Sequence, residues 1–265
     1  MKIKTTFNSL VFLLCISIFQ GCSVAPDNDR ISVHYLGHSS FIINFGGRFS
    51  VLTDPGKSNS YGLDSPIYDV GDFTPDIVTI SHTGHSDHYT GDIPENVKFV
   101  LTDIASLDFD GLEIQPVRTS ESSLEERSNT SYVFRYNGLT IIHIGDAQAN
   151  IMNIEDEENR KLLKEGLPDD IDLLLMTIQG VSEFIEEAES FIDFLSPKIV
   201  IPMHYWSEEY KSTFLDYLKN LNNSGKNYVI EEINSPEYIV SNGNIDHNKI
   251  RIISLEPGPF TGKIR

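Results

Sequence analysis

From residue 31 to residue 144 the chain runs as short apolar or alternating stretches broken by Gly, Asp, Asn and Pro. Residues 31–36, 40–45, 49–53, 77–80, 97–101, 112–117, 131–136 and 139–144 have the length and the β-branched and aromatic content of strands. Gly46-Gly47 and Asn137-Gly138 fall between neighbouring runs and predict hairpins, the second on the strongest short turn signal, Asn-Gly. Beyond residue 150 the period changes. Residues 154–165 read as a charged, exposed helix and 171–176 as a buried strand. Ser182 caps a helix with Phe184, Ile185, Ala188, Phe191, Ile192 and Leu195 on one face. Residues 198–201 form another buried strand, and Ser207 opens a helix whose apolar positions are Tyr210, Phe214, Leu215, Leu218 and Leu221. Strands first, then strand and helix in alternation, predict sheets packed face to face with helices outside.

The first 22 residues are a separate unit: Lys2 and Lys4, an apolar run from Phe7 to Phe19, then Gln20-Gly21-Cys22. This is the pattern of a secretory signal, too short for a comfortable membrane span. The 2 cysteines of the chain, Cys15 and Cys22, both lie in it, so cleavage before Cys22 leaves one thiol, at the new N-terminus, and no intrachain disulfide. Gly21-Cys22 resembles a bacterial lipobox, with Phe19 where a smaller aliphatic residue is usual. The expectation is a lipoprotein of the cell envelope, lipidated at Cys22 and held on a membrane without a spanning helix; the alternative is a secreted protein cut nearby. Residues 23–30 read as a polar linker and residues 31–265 as one domain, since no Gly/Ser-rich break or fixed repeat divides them.

Losing Lys2 and Lys4 with the leader takes the formal charge from −19 to −21. Such a surface repels polyphosphate and disfavours nucleic acid as a partner, because nucleic-acid binding rests on Lys and Arg neutralising phosphates. A small-molecule substrate is the expectation; the oligomeric state is open.

The chemistry concentrates in Ile80-Ser81-His82-Thr83-Gly84-His85-Ser86-Asp87-His88, three of the chain's 8 histidines and a carboxylate between an apolar run and a polar turn. Imidazole and carboxylate together suit zinc, and ligands on one short loop converge with little chain to order. The plain alternative is a wet, His-rich surface turn. Three further pieces stand where predicted strands end: Asp54-Pro55, Gly145-Asp146 and His204.

Together with Tyr35-Leu36-Gly37-His38-Ser39-Ser40-Phe41, His143-Ile144-Gly145-Asp146 and Pro202-Met203-His204-Tyr205, these pieces resemble the metallo-β-lactamase superfamily. Within it, the order and intervals are similar to the branch of the ascorbate-6-phosphate lactonase and the N-acyl-phosphatidylethanolamine phospholipase D group. The resemblance implies an α/β fold, the four-layer αββα sandwich. It implies one or two metal ions, zinc first with manganese or iron as alternatives. Asp87, His88 and His204 would hold one ion, Asp146 would bridge, and His82 and His85 would hold the other. A hydroxide between the ions would attack an ester, lactone, amide or phosphodiester bond.

Two departures qualify the resemblance. The family loop is usually His-x-His-x-Asp-His, whereas His82 and His85 are three apart, so Gly84 is expected to absorb a residue in a bulge. The family's remaining histidine ligand falls in a stretch that here has no histidine from Tyr89 to Ile142. Glu121, in Val117-Arg118-Thr119-Ser120-Glu121-Ser122, is the candidate substitute, since zinc accepts carboxylate. Without it the alternative is a membrane-anchored binding or scaffold protein with a degraded site. A nuclease would need a basic groove, against the charge. His38 is open between a substrate or ligand-supporting role and a plain hydrogen bond, and Asp54 is read as supporting a ligand. His143 is read as a core histidine, His34 and His247 as structural or solvated. Tyr205 and Trp206 either wall the pocket or pack, and the loops 57–73 and 147–167 are expected to choose the bond.

Overall fold

A computed structural model describes residues 30–58, 66–91, 93–102, 104–121, 128–148, 154–178, 185–246 and 248–262. The expected leader, the lipidation position Cys22, residues 23–29 of the linker, the Ser182 cap, His247 and parts of the two specificity loops lie outside them. In chain order the elements are β1 (Arg30–Gly37), β2 (Ser40–Phe45), β3 (Phe49–Thr53), β4 (Ile77–Thr79), β5 (Phe99–Leu101), β6 (Leu107–Phe109), β7 (Leu112–Thr119), β8 (Asn129–Tyr136) and β9 (Leu139–His143). Then follow α1 (Glu157–Gly166), β10 (Leu173–Thr177), α2 (Ile185–Leu195), β11 (Ile199–Met203), α3 (Glu208–Asn222), β12 (Tyr228–Ile233), β13 (Glu237–Ser241) and β14 (Ile250–Leu255).

They make two sheets, one ordered β13-β1-β2-β3-β4-β5 and the other β12-β14-β11-β10-β9-β8-β7-β6. Period-two alternation builds the first. Ile31, Val33, Tyr35, Phe41, Ile43, Phe45 and Val51 face the main core, while Leu36, Ile42, Leu52, Val78 and Ile80 face the other way. Across the sandwich, the Phe45 ring stands 5.9 Å from Phe134 and 5.7 Å from Tyr136. In the second sheet β9, β10, β11, β14 and β12 run parallel, and β10 and β11 are buried at every position. Burial on both faces is why Leu173-Leu174-Leu175-Met176 reads as unbroken apolar sequence.

Helices cover the second sheet. Ser207 caps α3 by accepting from Tyr210 N at 3.2 Å, and Phe214, Leu215 and Leu218 enter the core. Phe191 of α2 joins them, each buried side chain contributing roughly 1.5–3 kcal/mol. Asp156 caps α1, so that helix starts at Glu157, after residue 154 where the pattern put it. On the far face of the first sheet, among the described residues, the fourth layer is loop: Tyr68, Phe73, Ile93 and Phe260 cover Leu36, Ile42 and Leu52.

Both predicted hairpins form, Phe45 pairing with Phe49 around Gly46-Gly47 and Tyr136 with Leu139 around Asn137-Gly138, whose φ angles are 48° and 78°. β5 begins at Phe99 because Asn96 turns in the left-handed region at φ 67° and Lys98 is drawn to Asp76 at 2.7 Å. β6, β12, β13 and β14 add to the runs read from the sequence, and β13 pairs antiparallel with β1.

The topology gathers one end. The C-termini of β1, β3, β4, β7, β9 and β11 and the N-terminus of β8 open there, as the antiparallel and parallel pairings require. Tyr132 of β8 braces that end, its hydroxyl lying 3.1 Å from the carbonyl of Ile80 and 2.9 Å from that of Leu101. Tyr132→Phe should lower unfolding free energy by about 1–3 kcal/mol, since both sites are buried. Denaturant unfolding checks it, and an unchanged midpoint would show that the hydroxyl does not brace the sheets.

Candidate metal centre

The loops at this end are bent into conformations that side chains usually avoid. His38, Asp54 and His204 have φ of 57°, 40° and 53°. Each is over-determined by its neighbours. The His38 carbonyl accepts from Tyr35 Oη and from His204 N, both at 3.0 Å, and Asp54 N donates to Thr79 O at 2.8 Å. Two glycines let backbones meet. A Cβ on Gly56 would overlap the Asp87 carbonyl, and Lys57 N donates to Ser86 O at 2.9 Å alongside. Gly145, at φ 69°, leaves room for Ser81 and Asn129 where a Cβ would collide with both. Gly84 is not among the residues with positive φ, and a Cβ there would stand 3.2 Å from His82 Nε2, a tight approach that its absence relieves.

Two donor groups result. His38, Asp87, His88 and His204 form the first, buried throughout. Asp87 Oδ2 stands 3.6 Å from His38 Nε2, 3.5 Å from His88 Nε2 and 3.7 Å from His204 Nε2, and the last two nitrogens are 3.0 Å apart. His82, His85, Glu121 and Asp146 form the second. Glu121 offers one oxygen 3.2 Å from His82 Nδ1 and the other 3.4 Å from His85 Nδ1. Asp146 Oδ2 lies 3.6 and 3.5 Å from the same nitrogens. Asp146 also faces the first group, 3.1 Å from His204 Nε2 and 3.4 Å from His88 Nε2. Donors on a tetrahedral ion with bonds of about 2.0 Å stand about 3.3 Å apart, so these separations are those of ligand edges.

The supporting contacts fix which atoms point inward. Asp54, fully buried, accepts from Ser81 N at 2.7 Å and Ser81 Oγ at 2.6 Å, and stands 2.7 Å from His88 Nδ1. A carboxylate only accepts, so Nδ1 carries the proton and Nε2 faces the donor groups. Asn129, also fully buried, accepts from Asp146 N at 2.8 Å and donates to Thr119 Oγ1 and Ile144 O, tying the end of β7 to the Gly145-Asp146 turn. Thr177 Oγ1 donates to the Gly145 carbonyl. His143 Nε2 donates to Ser39 O at 2.8 Å and steadies the His38 turn from the core.

The electrostatics call for a cation. Burial alone would push Asp146, Asp87 and Asp54 up; the imidazoles of His204 and His88 outweigh it for Asp146 and Asp87, and His88, His143 and Ser81 outweigh it for Asp54, so all three are held below the usual carboxylate range. Burial would lower His88 and His204, but Asp146, with Asp54 and Asp87, raises His88 well above its ordinary value and His204 to about 9. Burial and the Asp146 charge push Glu121 up. Burial, then the charges of His204 and His88, holds His38 well below. Buried charge of this density is paired or metal-bound. Two buried atoms, His38 Nε2 and Asp87 Oδ1, have no hydrogen-bond partner and fit ligands of an ion.

The sequence-derived candidates thus fall as follows. His82, His85, Asp87, His88, Asp146 and His204 converge, and Glu121 and His38 stand among them. Asp54 and His143 sit behind, as hydrogen-bonding supports. His34 is buried against the Gly258 carbonyl, away from the centre, Tyr205 packs at 1% exposure, and Trp206 is exposed at 47%. Sequence reasoning did not single out Ser39, Ser81, Asn129 or Thr177. Ser39 and Ser81 adjoin the motif histidines, which is a usable signal; nothing local marks Asn129.

Two face-packed sheets with His and Asp donors gathered at one end define a metallo-β-lactamase-type architecture. The chain belongs to the β-lactamase superfamily domain family, whose match spans residues 32–204. A UPF0173 metal-dependent hydrolase from Pyrococcus abyssi is 27% identical over 207 residues, 66% of this chain and 84% of that protein. A candidate zinc-dependent hydrolase of the metallo-β-lactamase superfamily from Thermotoga maritima superposes with a TM-score of 0.56 at 23% identity, covering 85% of this chain and 100% of that one. The diiron β-hydroxylase CmlA from Streptomyces venezuelae superposes at 0.51 with 14% identity, over 80% of this chain and 54% of that one. At these identities the structural likeness is one of fold.

Glu121→Ala should remove one ion and leave the other, read by metal analysis of the purified variant; equal occupancy of both would exclude Glu121 as a donor. Asp54→Ala should leave the His88 ring free to turn and weaken ion binding by roughly 10–100-fold in a competition titration, with the fold intact by circular dichroism.

Proposed function

We propose that the protein is a metal-dependent hydrolase of small molecules. Asp87, His88 and His204 hold one ion, His82, His85 and Glu121 hold the other, and Asp146 stands between them. The observation that carries this is the Glu121 carboxylate, which meets both His82 and His85 where the sequence offers no third histidine. The scaffold reading rested on that missing donor, and Glu121 removes its motive.

Ions held by these groups would supply Lewis acidity and lower the pKa of water at the centre toward ~7. The chain's own residues do the rest. Asp146 keeps its charge between the groups, Asp54 fixes the His88 tautomer, and His143 and Tyr35 hold the His38 turn. Trp206, two residues past His204, is exposed and offers an apolar surface. The substrate class is an ester, lactone, amide or phosphodiester, and the formal charge of −19 argues against a polyanion. The motifs favour the branch of the ascorbate-6-phosphate lactonase and the N-acyl-phosphatidylethanolamine phospholipase D group.

Zinc suits the nitrogen-rich donors. The oxygen-richer Glu121 and Asp146 side also suits manganese or iron, and the Pyrococcus relative is named a metal-dependent hydrolase while CmlA is a diiron protein. The leader pattern supports an exported domain, residues 31–265, held to a bacterial membrane by lipid on Cys22.

Protein purified without chelator should carry about two divalent ions per chain by mass spectrometry, as a two-metal site requires. Chelation should abolish hydrolysis of an aryl ester, lactone or aryl phosphodiester probe, and metal resupply should restore it. A chain that takes up no zinc, manganese or iron overturns the proposal.

A further inference from the structure

The two donor groups differ in kind. In the first, three imidazoles and one carboxylate are each at most 5% exposed. In the second, His82, His85 and Glu121 lie nearer solvent, with side-chain exposures of 13%, 31% and 16%, while Asp146, at 3%, is as buried as the first group. His38 is what makes the first group full. Its ring lies 4.1 Å from that of His204, centroid to centroid, its Nε2 is 3.6 Å from Asp87 Oδ2, and neither ring nitrogen has a hydrogen-bond partner. A buried imidazole with both nitrogens unpaired is costly unless something else takes a lone pair. The backbone has been bent to put it there: φ is 57°, and its carbonyl is held by Tyr35 and by His204 itself.

We infer that His38 closes the buried group into a four-donor ion site with no position for substrate, and that substrate is met at the exposed His82, His85, Glu121 and Asp146 group. Closed four-donor sites are structural, whereas catalytic ones keep a position open. Asp146 belongs with the exposed donors, and its Oδ1, 3.1 Å from His204 Nε2, walls the buried group on the side where the exposed group begins. The exposed group has its open side toward solvent. The inference rests on the metal-binding reading above and goes beyond it by assigning different tasks to the two ions.

Cobalt(II) added to metal-free protein separates the possibilities, because four-coordinate cobalt absorbs visible light far more strongly than five- or six-coordinate cobalt. In Glu121→Gln, cobalt in the buried group should give a strong four-coordinate band that acetate, a small ligand for open positions, does not shift. His38→Asn keeps a residue that tolerates left-handed φ but removes the imidazole. In that variant the buried band should lose most of its intensity and respond to acetate, while circular dichroism stays unchanged. In the unaltered chain acetate should perturb only the weaker band, the one lost in Glu121→Gln. A His38→Asn spectrum like that of the unaltered chain, or an acetate shift of the strong band in Glu121→Gln, overturns the inference and leaves the metal-binding reading standing. Failure of the unaltered chain to bind cobalt at all overturns both.

Discussion

Three carboxylates, Asp54, Asp87 and Asp146, are each at most 3% exposed at one end of the sandwich, and the rest of that end is arranged around their charge. Taking an ion out of water costs several kcal/mol even after relaxation, so such a cluster persists only if positive charge and hydrogen-bond donors meet it. His88 is the hub: Nδ1 faces Asp54, and Nε2 faces Asp87, Asp146 and His204. Ser81 supplies a backbone and a hydroxyl donor to Asp54, and Asn129 holds the backbone of Asp146. The raised His88 and His204 pKa values have the same cause, the carboxylate charge of Asp146 with Asp54 and Asp87 around them.

The apolar sandwich makes this charge placement possible. Strands buried on both faces hold their C-termini rigidly, so the loops that follow can be forced into conformations costing about 1–3 kcal/mol each. The left-handed residues His38, Asp54 and His204 are held by bonds to β1, β4 and one another. Gly56 and Gly145 act differently from hinges. They admit a second backbone or side chain, which brings the Asp54 turn and the Asp146 turn within reach of the His82 to His88 loop.

The alternation in β1 to β3, the two hairpins and the unbroken apolar β10 and β11 could be read from sequence because one local property, burial on one face or on two, dictates each of them. The donor loop was legible for a similar reason, as rare residue types crowded together. What escaped depends on neighbours distant in sequence. Glu121 could be named only as a substitute for the missing histidine, since it follows a polar strand end like any surface glutamate; its place over His82 and His85 comes with the pairing of β7 and β8. His38 shows a motif but not its direction, which is set by a left-handed φ. Asn129 opens β8 with no local mark at all, and β13 joins β1 from the far end of the chain.

A carboxylate in place of an imidazole also changes the character of the exposed group, beyond filling a gap. With Glu121 and Asp146 both ionised, its donors would carry two negative charges and balance a divalent ion, whereas an imidazole in place of Glu121 would leave one charge uncompensated. Stronger Coulomb attraction favours retention of the ion at a site that solvent reaches. The same neutralisation reduces the ion's pull on a water beside it, so water there is acidified less than at an all-imidazole ion. Retention and reactivity therefore pull in opposite directions at Glu121. A cation held in the buried group, behind Asp146, would relieve that conflict by withdrawing charge from the Asp146 carboxylate and restoring part of the pull that Glu121 removes.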